Sequence, residues 1–156
     1  LPDDWFPILA EVFMKFSAPL IAVFVAALSL SACGGGSSDT PAAVVSSPAA
    51  LTLTDTVVGT GPVAATGTTA TVTYTGWLYS ATAVNFKGRQ FDAGTFTFKL
   101  GAGSVISGFD QGVAGMKVGG ARTILVPSTL GYGASGTTGI PANSGLVFEV
   151  KLTAVQ

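Results

Sequence analysis

The chemistry open to this chain is narrow, because it contains no histidine and one cysteine, Cys33. Ser-His-Asp, Cys-His and haem-His arrangements cannot be built within it, and a zinc site would have to consist of carboxylates alone. The groups left for a site are tyrosine hydroxyls, scattered carboxylates and an abundance of phenylalanine, ten residues in all. That set suits binding in an apolar pocket better than covalent catalysis. One formal motif is present: Gly131-Tyr132-Gly133-Ala134-Ser135-Gly136 matches the spacing of a dinucleotide-binding turn. Thr-Thr-Gly-Ile-Pro follows it where a helix is required, and no strand-helix-strand unit surrounds it, so no nucleotide site and no cofactor is expected. A net charge of −1 offers no footprint for DNA or RNA.

The elements that must position these groups begin after Leu51, where Thr, Val and Phe are punctuated by glycine as strands and turns require. Ala70 to Leu78 alternates strictly, with Val72, Tyr74 and Leu78 on one face and Thr71, Thr73 and Thr75 on the other. Tyr74 therefore points inward. Phe96, Phe98 and Leu100 align in a second run, and Leu146, Phe148, Val150 and Leu152 in a third. Thr123 to Val126 and Leu51 to Val58 supply two more strands. Between them, Ile106, Phe109, Val113 and Met116 stand three and four apart, which predicts a short helix with one apolar stripe despite Gly108 and Gly112, each costing about 1 kcal/mol against Ala. The expected fold class is α+β, a five-stranded antiparallel sheet wrapped around one short helix with an aromatic-lined cavity between. Trp77 and Tyr79 fall on the outer face and read as surface packing. At 156 residues the chain has room for one such domain.

Its first third reads differently. Phe16 to Ala32 is an uncharged run of seventeen residues behind Met14-Lys15, the pattern of a secretory signal and short for a membrane span of about 20 residues. It ends in Leu30-Ser31-Ala32-Cys33, which resembles a bacterial lipobox and marks Cys33 as the lipidation site. Residues 1–13, acidic where a signal should be basic, are expected to be an upstream mis-start, with 14–32 the signal peptide and 33–50 a lipidated cysteine and a Gly/Ser/Pro/Ala tether. Residues 51–156 are the domain. Gly34 after the cysteine, where retained inner-membrane lipoproteins carry Asp, implies an outer-membrane location in the bacterial cell envelope.

The order and spacing of Val57-Val58-Gly59-Thr60-Gly61, Val72-Thr73-Tyr74-Thr75-Gly76-Trp77-Leu78, Phe91-Asp92, Val105-Ile106-Ser107-Gly108-Phe109-Asp110-Gln111-Gly112, Leu130-Gly131-Tyr132-Gly133 and Leu146-Val147-Phe148-Glu149-Val150 closely resemble the FKBP-type peptidyl-prolyl cis-trans isomerases, in particular their lipid-anchored bacterial members. The resemblance implies a non-covalent isomerase of X-Pro bonds in exported proteins. The substrate would sit in a basin lined by Phe91, Phe96, Val105, Phe109, Ile140 and Phe148, with Phe109 as floor where the family most often has Trp. Tyr74, Asp92, Ile106 and Tyr132 would be the catalytic set: the Ile106 N–H and the Tyr132 hydroxyl donate to substrate, and Asp92 accepts from Tyr74 or polarises the twisting group. Partners implied are proline-containing polypeptides, ligands of the FK506 and rapamycin type, and a membrane through the lipid; the domain is expected to be monomeric, with no metal. The alternative is a membrane-tethered module that binds Pro-peptides with little turnover.

Two departures bear on the pocket rim. An extra stretch, Ser80 to Gln90, precedes Phe91, and only Ala93-Gly94-Thr95 separate Asp92 from Phe96, where the family usually has a longer loop with a basic partner for the aspartate. Asp92 is thus expected to lack that partner unless Arg89 or Lys87 supplies it.

Overall fold

In the computed structural model residues 46–156 are described. Cys33, the signal run, residues 1–13 and most of the tether lie outside them. Five strands form one antiparallel sheet: β1 (Thr52–Val57), β2 (Thr69–Tyr79), β3 (Lys87–Lys99), β4 (Ala121–Val126) and β5 (Leu146–Val155), in the order β1-β4-β5-β2-β3. One helix, α1 (Ser107–Val113), lies across its inner face. The alternation read from the sequence holds in β5 from Phe148 onward, where Phe148, Val150 and Leu152 are buried while Glu149 and Lys151 face solvent; at the start of the strand Leu146 and its opposite-facing neighbour Val147 are both buried. Leu146, Phe148, Val150 and Leu152 meet Val72, Phe98, Phe109, Val113, Ile124 and Val126 in a single core.

The helix is shorter than the apolar stripe suggested. It stops at Val113, and Gly115 turns the chain at φ +77°, a left-handed conformation a glycine adopts without steric cost. Met116 is nevertheless buried, from the turn rather than from the helix. Gly108 and Gly112 have a packing reason that a propensity scale does not contain. A Cβ on Gly108 would lie 2.3 Å from Val126 Cγ1, and one on Gly112 would lie 2.4 Å from Ile124 Cδ1, so both glycines face β4 and let the helix backbone rest on its side chains.

A second difference lies in β3. The extra stretch is not a loop up to Gln90. After a 3-10 turn at Val84–Phe86 the strand starts at Lys87 and runs thirteen residues, through Asp92 and the Ala93-Gly94-Thr95 segment. It pairs with β2 through two one-residue bulges: Gly88 and Arg89 oppose Leu78, and Phe91 is the extra residue between the pairs Gly76–Asp92 and Trp77–Gln90. Bulges twist a strand and re-aim its side chains. On the outer face, Thr71 and Thr97 (2.9 Å) and Thr73 and Thr95 (3.3 Å) hydrogen-bond across the two strands.

The end of the tether is also part of this structure. The Ser46 hydroxyl donates to the Tyr79 carbonyl (3.0 Å), the Gly145 N–H donates to the Ser46 carbonyl (2.9 Å), and the Ser128 N–H donates to the Ser47 hydroxyl (2.9 Å). Gly145 leaves no room for a Cβ, which would meet Pro48 Cδ at 2.4 Å. Composition placed these residues in the linker because nothing in Ser-Ser-Pro announces docking partners between 33 and about a hundred residues away.

Candidate active site

The sheet and helix enclose an open cavity of about 190 Å³, the liquid volume of roughly six waters at about 30 Å³ each. Phe109, the third residue of α1, is its floor: 5% exposed, it meets Phe148 edge-on at 5.0 Å between ring centroids, Tyr74 edge-on at 5.8 Å and Phe98 at 5.7 Å. Phe91 stands edge-on to Phe148 at 5.8 Å. Such edge-to-face contacts are the preferred geometry of aromatic pairs and fix the walls. Phe96, Ser104, Val105, Ile106 and Tyr132 complete the lining. Phe96 is 44% exposed and Tyr132 39%, so both border the mouth.

All the predicted lining residues converge here except Ile140. Ile140 is 4% exposed and belongs to the core, because the reciprocal hydrogen bonds between Thr137 and Ile140 (N–H to carbonyl 2.9 and 2.8 Å) fold the loop so that its side chain turns inward, behind the pocket. Two contributors were missed. Ser104 lines the mouth from the loop before α1, and no residue pattern singled it out. Gly76 contributes by having no side chain: a Cβ there would lie 2.7 Å from Phe91 and 3.0 Å from Phe148, so the two rings occupy the space over the β2 backbone. Its position in an inward-facing run was a signal that could have been read as close approach.

Polar chemistry is confined to the rim. The Tyr74 hydroxyl donates to Asp92 Oδ2 at 2.5 Å, and the Ala93 N–H donates to Oδ1 at 2.9 Å. The bond to Asp92, then burial, then the charges of Asp92 and Tyr132 push the Tyr74 phenol up to about 12. Neither candidate cation pairs with Asp92. Lys87 bonds Glu149 (2.5 Å) with its ammonium 4.5 Å from the Trp77 ring centre, and Arg89 donates to the Gly139 carbonyl. Strand alternation explains Lys87, which pairs with Tyr79 and shares its outward face. Tyr79 there stacks on Phe86 at 5.3 Å. Opposite the Tyr74–Asp92 pair, the Ile106 carbonyl accepts the first helical N–H groups, from Phe109 (3.0 Å) and Asp110 (3.1 Å). Its own N–H, in the loop just before the helix, has no acceptor among the described residues.

An aromatic floor with hydroxyl and N–H donors and one carboxylate at the mouth makes a site that can hold a small apolar group and hydrogen-bond the polar groups beside it. A sequence profile of the FKBP-type peptidyl-prolyl cis-trans isomerase family matches residues 61–153, and the chain belongs to that family. FK506-binding protein 4 of Emericella nidulans is 48% identical over 106 residues, which are 65% of this chain and 21% of that protein. Among solved structures, a peptidyl-prolyl cis-trans isomerase of Pseudomonas syringae pv. tomato is 32% identical with a TM-score of 0.58, over 68% of this chain and 75% of that one. AtFKBP13 is 35% identical with a TM-score of 0.58, over 70% and 96%. The chain therefore spans about a fifth of the curated relative and nearly the whole of the smaller solved one. It carries an FKBP-type peptidyl-prolyl cis-trans isomerase domain.

Proposed function

We propose that this domain catalyses cis-trans isomerisation of X-Pro bonds in polypeptides by non-covalent twisting of the amide. The observation that carries the reading is the convergence of Tyr74, Phe91, Phe96, Val105, Ile106, Phe109, Tyr132 and Phe148 on one cavity whose floor is aromatic and whose only carboxylate, Asp92, sits at the rim. The barrier to be lowered is about 18–20 kcal/mol, set by the resonance lost when the amide rotates. The twisted state is less dipolar than the planar one, so an apolar basin that excludes water favours it over the solvated ground state. The prolyl ring rests on Phe109 between Phe148 and Tyr74. The Ile106 N–H and the Tyr132 hydroxyl hold substrate carbonyls, and the Tyr74–Asp92 pair fixes the wall against which the amide turns. The ligands proposed for the same basin include macrolides of the FK506 and rapamycin type.

Exchange NMR on an X-Pro peptide, without a coupled protease, tests this directly. Micromolar protein should raise the cis-trans exchange rate well above the uncatalysed scale of tens of seconds. Saturable peptide binding with an unchanged exchange rate would overturn it and leave a Pro-peptide-binding module.

The proposed clients are exported proteins, and the proposed place is the bacterial envelope, with the domain lipid-anchored at Cys33 and standing off the membrane by no more than the reach of its tether. Support comes from residues 14–34 alone: the uncharged run, Leu30-Ser31-Ala32-Cys33 and Gly34. Two or more acyl chains make such attachment stable where one is marginal, and prolyl isomerisation needs no nucleotide. Mass spectrometry of the peptide containing Cys33 should find acyl chains, and Cys33→Ala should move the protein out of the detergent phase. An unmodified cysteine, or unchanged partitioning of the variant, would overturn the anchor.

A further inference from the structure

The geometry points to Arg89 as a positioning residue for the active-site rim, holding the loop that carries Tyr132 through a hydrogen bond to the loop's tip. The inference rests on the isomerase reading for its kinetic consequence, and on the fold alone for its structural one.

The loop from Gly131 to Gly145 is built as a self-closed turn. Tyr132 accepts from the Gly136 N–H (3.2 Å), Thr137 and Ile140 exchange two hydrogen bonds, and the Asn143 N–H returns to the Gly133 carbonyl (2.7 Å). Gly136 is required at the crossing, where a Cβ would lie 2.5 Å from the Ile140 carbonyl oxygen. Ile140 pins one side of the turn into the core. Thr138 and Gly139 form the exposed tip, and the only side chain that donates to it among the described residues is the Arg89 guanidinium, at the Gly139 carbonyl.

Arg89 reaches the tip because of the extra stretch. Lengthening β3 back to Lys87 brings a cation alongside the loop, and the bulge at Gly88-Arg89 turns it there. Gly88 can be bulged only as glycine, since a Cβ would approach the Leu78 carbonyl oxygen to 2.8 Å. On this strand Lys87 and Gln90 pair with Tyr79 and Trp77 on the outer face, whereas Arg89 bonds a loop on the inner side. A chain of contacts thus runs from Arg89 through Gly139, the Thr137–Ile140 pair and Gly136 to Tyr132, whose side chain lines the cavity. The three-residue link after Asp92 leaves that side of the pocket with little chain of its own, and the Arg89 tie holds the facing rim in place.

The test compares Arg89→Ala, Arg89→Lys and, from the opposite face of the same strand, Lys87→Ala. Without substrate, amide exchange at Thr137 and Ile140 should quicken about tenfold in Arg89→Ala, the scale of a lost charge-assisted hydrogen bond. With an X-Pro peptide, KM should rise about five- to tenfold while kcat stays within about twofold, because the rim binds substrate and the floor does the twisting. Arg89→Lys, which keeps one donor, should recover a large part of both changes, and Lys87→Ala should alter neither. Unchanged loop exchange in Arg89→Ala overturns the tie. A fall in kcat with constant KM, or equal effects of Arg89→Ala and Lys87→Ala, overturns the positioning role. A wild-type protein without isomerase activity would defeat the functional reading alone, since the amide-exchange arm still reports on the tie.

Discussion

At the scale of single residues, the pocket's polar edge is a phenol and a carboxylate that satisfy each other. Asp92 takes hydrogen bonds from Tyr74 and from its neighbour's N–H, so it is held without the basic partner usual in the family, which the short link to Phe96 led one to expect would be missing. The consequence is measurable at high pH. With its phenol at about 12, Tyr74 keeps its proton in the folded state while an unfolded tyrosine loses it near 10. The contribution of this pair to stability is therefore fully present below pH 10 and lost as the pH rises toward 12. Alkaline ultraviolet titration should show a phenolate step near pH 12 that is absent from Tyr74→Phe. A wild type with no step near pH 12, and a Tyr74→Phe variant that loses a step near pH 10 instead, would mean that the bond to Asp92 does not form in solution.

Among the elements, α1 shows packing overriding propensity. A seven-residue helix with glycine at two positions is a poor helix by itself, and isolated helices of that length do not persist in water. It exists here because Phe109 and Val113 are buried against the sheet and because the glycines let it lie flat on Ile124 and Val126. Replacing Gly108 by Ala should therefore destabilise the protein. The gain in helix propensity is about 1 kcal/mol, whereas overpacking costs about 1–3 kcal/mol and a 2.3 Å approach to a Val126 methyl belongs at the upper end, leaving a net loss of about 2 kcal/mol. Urea denaturation gives the value, and an increase in stability would show that the helix does not rest on β4 in this way.

Across the whole molecule, one side chain joins three parts of the chain. Arg122 in β4 donates Nε to Asp55 Oδ1 of the edge strand β1 (2.6 Å) and a second nitrogen to Oδ2 (3.1 Å), while its remaining nitrogen donates to the carbonyls of Gly112 (2.8 Å) and Ala114 (3.2 Å) at the end of α1. It thus caps the helix and fastens an edge strand whose residues are all exposed. Arg122→Ala should cost about 1–2 kcal/mol, chiefly through the two helix carbonyls left unpaired. The hydrogen bonds from Arg122, opposed by desolvation and helped by its charge, hold the Asp55 carboxyl below its usual 3.8. That part of the stability is present above pH 3.8 and disappears as the pH falls further, so the acid limb of a stability profile should be shallower in Arg122→Ala than in the wild type. Equal limbs would remove Asp55 from the account.

The sequence by itself determined what depends on neighbours in the chain and on side-chain type. Alternation over two residues placed Val72, Tyr74, Phe98, Phe148 and Val150 on inner faces, because a pleated strand leaves no other arrangement once one face is buried. The missing histidine excluded whole classes of catalysis, and the spacing of several short motifs pointed to a family and to all but one of the residues expected to line its pocket. What only the tertiary structure decided depends on contacts between distant segments. The strand character of Lys87 to Gln90 and the docking of Ser46 to Pro48 were each set by partners far along the chain, for which a local pattern carries no signal, whereas the end of α1 at the Gly115 turn and the inward turn of Ile140 come from local turns that the apolar pattern did not show. The bond from Tyr74 to Asp92 was expected from the resemblance, but that neither Arg89 nor Lys87 joins it is of the tertiary kind: two bulges in β3 decide which way each side chain points, and a bulge is a property of two strands in register, which neither strand's sequence contains alone.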